Sequence, residues 1–516
     1  MLCVCAVASD ILRVLRYLLV GSLAFHGVLP CQFLFGNWPQ YSLGYVPYGG
    51  VEMCPHAVGD LNGDGISDLV VGNGRCSFKI CISDGTGRFR MTLLPMVTPC
   101  GTLHSCCALV DVDGDGDLDL LCGYAFSLDS PVTLYRNDGQ GNFTYDAAAM
   151  PVALVLALAI TGIDVDHDGD MDLIIGRQDG TQTLLYLNTG GGHFVDATAQ
   201  RMPGCIDRIQ SIAVLDVNQD GAPDFVTTAG GYYGSQPIRL WINDGTGRFT
   251  FGNCNKSCAG MKVRVADFNG DGLPDIMVPT ISGPIVMMVN DGVGGLRDES
   301  YRFPTSLLLW AYDVAVVDVD GDGDSDLVFA ITGGPSLQSP RLYLNDGQGN
   351  FADATYAVQP YAPAPTSIGA AIEVGDFDGD GDPDFLYIVA PTTIGNPSTT
   401  IYFHLRRQLV TQFTVTVGQN LTLTHFALPG HVMVAAASAG APPVMLGSLG
   451  RFWLDPTPMV LLTPQLIGSS GTASLTLPVP LDNRLRGQIL WTQAIDIEPT
   501  PPYNAHFSNA VWDVLK

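Results

Sequence analysis

Seven short segments of this chain carry side-chain oxygens at the spacing a hard divalent cation needs. They run from Asp60 to Asp68, Asp111 to Asp119, Asp164 to Asp172, Asp216 to Asp224, Asp267 to Asp275, Asp318 to Asp326 and Asp376 to Asp384, each reading Asp-x-(Asp/Asn)-x-Asp-Gly-x-x-Asp. Oxygens at positions 1, 3, 5 and 9, with a backbone carbonyl at position 7, supply most of a calcium shell of roughly six to eight oxygens. Glycine at position 6 allows the tight reversal that aims those oxygens inward. The candidate ligands are Asp60, Asn62, Asp64, Ile66 and Asp68 in the first segment, and Asp111, Asp113, Asp115, Asp117 and Asp119 in the second. They continue with Asp164, Asp166, Asp168, Asp170 and Asp172, then Asp216, Asn218, Asp220, Ala222 and Asp224, then Asp267, Asn269, Asp271, Leu273 and Asp275. The last two sets are Asp318, Asp320, Asp322, Asp324 and Asp326, and Asp376, Asp378, Asp380, Asp382 and Asp384. Position 12 is never acidic and no helical pattern flanks the loops, which sets them apart from EF-hands.

The elements that must hold these loops repeat with them. The motifs begin 51 to 58 residues apart, a period that means blades or arrays. An alternating segment such as Ser211–Asp216 precedes each motif, and a continuous apolar run such as Leu69–Val71, Leu173–Ile175 or Leu327–Phe329 follows it. Alternation suits a half-exposed strand, and the apolar run suits a strand buried on both faces. A third strand then ends in a turn phrase, Asn137–Phe143, Asn243–Phe249 or Asn345–Phe351, with degraded copies at Ser83, Asn188 and Asn290. Asn-Asp-Gly with a second glycine is hairpin chemistry, and the closing Phe opens a fourth strand. Four antiparallel strands in each of seven units predict an all-β fold, a seven-bladed β-propeller over residues 32–408 with up to seven Ca²⁺ ions. The seventh unit lacks its turn phrase, and Phe33–Asn37 is expected to supply the missing outer strand. Residues 409–516 alternate like half-exposed strands punctuated by Gly and Pro, as in a small C-terminal β-sandwich.

The motifs resemble those of the FG-GAP/VCBS repeat family, in its secreted bacterial form, whose fold is the propeller of the N-terminal region of integrin α chains. The resemblance implies a calcium ion in the hairpin between the first two strands of each blade, with ligand roles at positions 1, 3, 5, 7 and 9. All seven units carry the loop, and the even spacing leaves no room for an inserted ligand-binding domain, so the integrin mechanism of adhesion is not carried over.

The formal charge is −27, yet only four of the 51 acidic residues are Glu, and more than half of the Asp lie in the seven loops. That concentration reads as metal sites rather than an acidic tail, and without a basic stripe it excludes nucleic acid as a partner. Residues 1–29 resemble an export signal: Arg13 and Arg16 precede the apolar run Tyr17–Phe25, and Ser22-Leu23-Ala24 offers small residues for cleavage. A secreted, extracellular or cell-surface location is expected, with the periplasm as the alternative and no membrane span in the mature chain. Calcium outside cells is abundant enough to fill weak repeated sites. Among the cysteines, Cys254–Cys258 and Cys76–Cys81 are near-sequence disulfide candidates, and Cys100, His104, Cys106 and Cys107 form a poorly spaced zinc candidate.

On the face away from the loops the strand order places Tyr124, Phe126, Tyr232, Tyr233 and Trp310, which can stack on a glycan, anchor a protein, or pack against their own neighbours. Lys262, Arg264, Asp313 and Glu373 put charges on innermost strands, as a channel site or as salt bridges between blades, and His56 reads as a core histidine. No nucleophile elbow and no zincin histidine pair occurs. The expected role is a non-catalytic extracellular module for binding, adhesion or structure, recognising protein or glycan. The alternative is a secreted polysaccharide lyase or hydrolase that uses the central channel.

Overall fold

The computed structural model describes residues 35–37, 56–72, 77–85, 88–95, 97, 103–125, 131–231, 234–304, 310–319, 322–332, 340–355, 367–391 and 398–404, and a set of strands between 409 and 514. The export signal and the residues Phe126, Tyr232, Tyr233 and Asp320 lie outside the described residues.

Strand formation follows the repeat. The first sheet is His56–Gly59, Asp68–Gly72, Ser77–Ser83 and Phe89–Pro95, and the second is Leu103–Val110, Asp119–Ala125, Thr133–Asn137 and Phe143–Asp146. The third comprises Ala157–Ile163, Asp172–Arg177, Leu184–Asn188 and Phe194–Asp196. The fourth comprises Ile209–Leu215, Asp224–Ala229, Arg239–Asn243 and Phe249–Phe251. The fifth is Arg264–Ala266, Asp275–Val278, Val286–Asn290 and Gly295–Asp298, and Asn253–Cys254 adds to its outer edge in parallel. The sixth is Trp310–Val317, Asp326–Thr332, Arg341–Asn345 and Phe351–Asp353. A further sheet is Ser367–Gly375, Asp384–Pro391 and Ser398–His404, and Phe35–Asn37 completes it, with Phe35 opposite His404 and Asn37 opposite Tyr402. The outer strand of that last unit thus comes from the beginning of the chain.

The second strand of each unit is the most deeply buried, because sheets cover both of its faces. Leu69, Val70, Leu173, Ile174, Leu327 and Val328 are fully enclosed, as a continuous apolar run requires. Each apolar cluster lies between successive sheets. Leu121 and Leu134 of the second meet Leu173, Ile175 and Tyr186 of the third, and Met277 and Met287 of the fifth meet Leu327, Phe329 and Tyr343 of the sixth. The last sheet packs on the first in the same way, through Ala371, Phe377, Leu386 and Ile388 against Leu69, Val71 and Cys81. Sheets packed face to face in sequence order around an axis make an all-β propeller.

Helix is confined to single turns among the described residues, such as Thr198–Arg201 and the 3₁₀ turn Ser300–Arg302, and no helix is long and apolar enough to cross a membrane. Beyond residue 408 the described strands form a sheet of Leu409–Thr411, Asn420–Phe426 and Thr472–Pro478. A second sheet is built around Val432–Ser438, Ile489–Ile497 and Ala505–Val514.

Two disulfide expectations are corrected or left open by this arrangement. Cys254 and Cys258 are both free thiols: Cys254 pairs beside Leu296, whereas Cys258 pairs beside Gln236, so the two strands lead in different directions. Cys81 is a buried thiol in the third strand of the first sheet, and Cys76 lies outside the described residues. Of the zinc candidate, Cys100 and the side chain of His104 lie outside the described residues, and the other two members do not face each other. Cys106 and Cys107 are neighbours on one strand and pack into clusters on opposite faces of it.

Candidate functional site: the acidic loops and the sheet junctions

Each acidic motif is the hairpin between the first two strands of a sheet, and its hydrogen bonding repeats from copy to copy. The glycine at position 6 takes a positive φ in all seven loops, from 75° at Gly65 to 96° at Gly323, where a side chain would be strained. Its N–H donates to the carboxylate of the position-1 aspartate in every copy, from 2.5 Å for Gly65 to Asp60 to 3.2 Å for Gly169 to Asp164. Position 5 likewise accepts from the N–H of position 7, as Asp64 does from Ile66 at 2.8 Å and Asp220 from Ala222 at 2.8 Å. The backbone therefore curls around the acidic side chains and holds them on its concave side.

Position 4 shows where this curl costs energy. His167 and Gln219 adopt φ of 59° and 57° there, the conformation that Gly63, Gly114, Gly270 and Gly379 supply in sister loops. His167→Gly is expected to raise stability by up to about 1 kcal/mol, the left-handed penalty less the added chain entropy. Urea unfolding of the two proteins measures it, and a loss of stability would contradict the strain.

Position 9 is different in kind. Asp68, Asp119, Asp172, Asp224, Asp275, Asp326 and Asp384 are fully buried at the start of the second strand. One carboxylate oxygen accepts from the N–H of position 2 in every loop, for example Val165 to Asp172 at 3.0 Å and Val319 to Asp326 at 2.9 Å. In six sheets the other oxygen accepts from the N–H at the head of the turn phrase: Ser83, Asn137, Asn188, Asn243, Asn290 and Asn345, all at 2.7 to 2.8 Å. Burial pushes these acids up, to about 7 for Asp68 and Asp172 and to about 6 for Asp119, Asp224 and Asp275, against the backbone N–H groups that pull the other way.

The residue at the head of the turn phrase has a function that sequence reasoning did not find. Its side chain crosses to the preceding sheet and donates to the carbonyl of position 2 there. Asn137 bonds Leu61 at 2.9 Å, Asn188 bonds Val112 at 2.8 Å, Asn243 bonds Val165 at 2.8 Å, Asn290 bonds Val217 at 3.0 Å and Asn345 bonds Phe268 at 2.8 Å. Ser83 of the first sheet makes the same bond to Phe377 of the last, through Oγ at 2.8 Å. In six of the seven loops the position-2 residue is thus held by its N–H to its own aspartate and by its C=O to the next sheet. The available signal was the persistence of Asn or Ser at that position even where the rest of the turn phrase decays.

The donor set suits a hard divalent cation. Carboxylate oxygens of Asp111, Asp113 and Asp115, of Asp164, Asp166 and Asp172, and of Asp376, Asp378 and Asp384 converge to within 4.8 Å of one another. Buried Oδ1 atoms of Asp164, Asp166 and Asp216, and Oδ2 of Asp380, have no hydrogen-bond partner. Buried anionic oxygens without donors are costly unless a cation satisfies them. Burial and neighbouring carboxylates push Asp378 and Asp380 well above the ordinary carboxylate range. In two loops an arginine meets position 3, Arg136 on Asp113 at 3.0 Å and Arg201 on Asp166 at 2.9 Å. Each also bonds a turn carbonyl of the next sheet, Gly191 or Thr246, which couples loop to junction.

The charged residues on the innermost strands gather into one network. Arg264 of the fifth sheet bonds Asp313 of the sixth at 3.1 Å, Glu373 of the last at 2.8 Å and the Val314 carbonyl at 2.8 Å. His56 of the first sheet lies 3.3 Å from the same Glu373 oxygen. Asp313 is fully buried and also accepts from the Val314 and Ile372 amides. The Arg264 guanidinium, with His56 and Lys262 near, holds Glu373 well below the usual carboxylate range despite burial. Glu373→Gln is expected to cost about 1 kcal/mol, since the group is part-exposed and its bonds are charge-assisted. Urea titration reads the loss, and an unchanged midpoint would show the network to be idle.

Of the aromatic candidates, Tyr124 is corrected. It is fully buried within the strand Asp119–Ala125, in the cluster between the first and second sheets, and its OH shares a 3.0 Å hydrogen bond with Thr133. Trp310, at the start of an innermost strand, is 57% exposed.

The FG-GAP-like repeat family matches six overlapping spans, residues 60–122, 111–175, 164–227, 216–278, 267–329 and 318–387. No curated protein matches the chain. Among solved structures, a crystal structure titled BBS1N in complex with ARL6DN, soaked with lead, is 14% identical, covers 72% of this chain and 97% of its own, and gives a TM-score of 0.44. The mercury-soaked crystal of that complex is 13% identical with the same coverage and a TM-score of 0.45. A likeness of that size carries nothing over to the partners of this chain.

Proposed function

The chain belongs to the FG-GAP-like repeat family, and we propose that it is an exported, calcium-stabilised propeller of seven blades that serves as a binding module. The bare, buried oxygens of Asp164 and Asp166 beside Asp172 carry the calcium reading. Calcium would supply positive charge to each loop; positions 1, 3, 5 and 9 and the position-7 carbonyl would hold it. The chain's own contribution is to pre-form the curl through the position-6 N–H and to transmit loop order to the next blade through the Asn or Ser latch. Seven blades are supported by the contact between the last unit and the first, which obeys the same rule as the others. Leu118 approaches Gly59 across one junction, and Ser67 approaches Gly375 in the equivalent way across the other. We read the strands beyond residue 408 as a small β-sandwich appended to the ring.

Binding is favoured over catalysis because the charged cluster that the described residues place on the inner strands is committed to itself. Arg264 bonds both Asp313 and Glu373, so these carboxylates are engaged with the chain's own groups. The partner would be an extracellular protein or glycan, with exposed Trp310 on the face away from the loops as its first contact. Calorimetric titration of calcium into chelator-treated protein tests the first half of the reading. The expected stoichiometry approaches one ion per loop, and no heat up to millimolar calcium would overturn it. Glycan-array and pull-down screens, run on wild type and Trp310→Ala in calcium, test the second. A ligand retained equally by both proteins would remove Trp310 from the contact.

A further inference from the structure

The second sheet carries three cysteines in one patch, Cys106 and Cys107 on its innermost strand and Cys122 on the next. The strand period sends Cys106 and Cys107 to opposite faces. Cys106 stands opposite Gly123, its Sγ 2.5 Å from where a Cβ on that glycine would sit, in the cluster shared with the third sheet. Cys107 stands directly opposite Cys122 in the antiparallel register, and both pack into the cluster shared with the first sheet. Opposed residues of such a ladder have Cα atoms about 4.5 to 5.5 Å apart. That lies inside the span of about 4.4 to 6.8 Å that a disulfide bridges. Neither residue is disulfide-bonded in this structure.

We propose that Cys107 and Cys122 form an oxidisable pair, closing to a cross-strand disulfide when the protein meets a small disulfide oxidant of the glutathione class. Cys107 is part-buried and the more exposed of the two, whereas Cys122 is fully enclosed, so the first attack is assigned to Cys107. The Cys107 thiolate attacks one sulfur of the oxidant, forming a mixed disulfide and releasing one glutathione thiolate. Cys122 then loses its proton and attacks the Cys107 sulfur, displacing the second glutathione. Two thiol protons leave the protein and two electrons pass to the oxidant, which ends as two glutathione thiols. Burial keeps the Cys122 thiol well above its ordinary range, so the second step is slow once the sheet has closed. Cys106 does not compete, because it faces the other side of the strand. The bridge spans the whole Asp111–Asp119 hairpin, so it restrains the unfolded loop and ties the two strands that carry it.

The test equilibrates the full chain with a glutathione redox buffer, then digests it without reduction for mass spectrometry. Since Cys106 and Cys107 share any peptide, wild type, Cys106→Ala and Cys107→Ala are compared. The expected product joins this peptide to the one holding Cys122 and is lighter than the two thiol forms by their two hydrogens. It should be present in wild type and Cys106→Ala and absent from Cys107→Ala. Melting temperature should rise by several degrees on oxidation in the first two proteins and stay unchanged in the third. Full alkylation of both thiols in the oxidised wild type would overturn the proposal, as would a cross-link that survives in Cys107→Ala or vanishes in Cys106→Ala. If Cys107→Ala does not fold, the first two proteins decide the matter alone.

Discussion

Asp224→Ala should destabilise the propeller by roughly 4 kcal/mol even with no metal bound, because the aspartate is first a structural acceptor. Its Oδ2 takes the Val217 N–H at 3.1 Å and its Oδ1 takes the Asn243 N–H at 2.7 Å, in a fully buried position. Truncation orphans two buried amides, each costing about 1 to 3 kcal/mol. It also frees the backbone of Asn243, whose Nδ2 holds the Val165 carbonyl of the third sheet at 2.8 Å, so the loss reaches the neighbouring junction. Asp220→Ala, at exposed position 5 of the same loop, is the control and should cost under 1 kcal/mol in chelator. Urea denaturation of wild type and both variants in chelator separates the two roles. Equal, small losses would reduce position 9 to a metal ligand.

That division of labour also marks how far the sequence could be read. The loops, their position-6 glycines and the doubly buried second strands were legible because each rests on local chemistry: a spacing of oxygens, a positive φ, an unbroken apolar run. The completion of the last sheet by Phe35–Asn37 was legible too, as a missing turn phrase that some other strand had to replace. The latch was not, since Asn188 and Val112 lie 76 residues apart and meet only when two sheets pack. In sequence that asparagine looks like a turn former, and the turn does use it: its Oδ1 accepts from Gly190 and Gly192 at 3.1 Å. Its amide group serves the junction at the same time.

The misreadings have the same origin. Tyr124 was expected on the face away from the acidic loops from the strand order alone, but the strand continues to Ala125 and buries it, and Gly123 beside it is there for space. A Cβ on Gly123 would strike Cys106 and Ala157 of the next sheet. Cys254 and Cys258 are close in sequence but belong to strands that pair with different partners. The innermost-strand charges gave two readings, and only their distances could choose: Arg264 reaches two sheets at once, which periodicity along one chain does not reveal.

Removing the metal should produce the largest change of all, and its pH dependence should identify the groups responsible. In calcium the melting temperature is expected to fall steeply on adding chelator at pH 7.5, because carboxylates that converge in the loops at Asp111, Asp164 and Asp376 then lose the cation that would offset their charge. In chelator it should rise again as the solution is acidified from pH 7.5 to 5. The sign follows from the buried acids Asp68, Asp119, Asp172, Asp224 and Asp275, which sit at about 6 to 7 in the folded chain against about 3.9 when unfolded. Between these values the folded state binds protons that the unfolded state does not, so stability falls as pH rises through 7 and is fully present below about 4. The depressed acids, Glu373 and Glu299 among them, act oppositely, but their contribution is lost only as pH falls below the unfolded carboxylate range, outside this window. With saturating calcium the slope between pH 5 and 7.5 should reverse, since protons then compete with the ion for the same oxygens. A chelated protein whose melt is flat or falls on acidification would show that these aspartates are not strained by charge. One whose melt ignores calcium altogether would remove the ion from the fold.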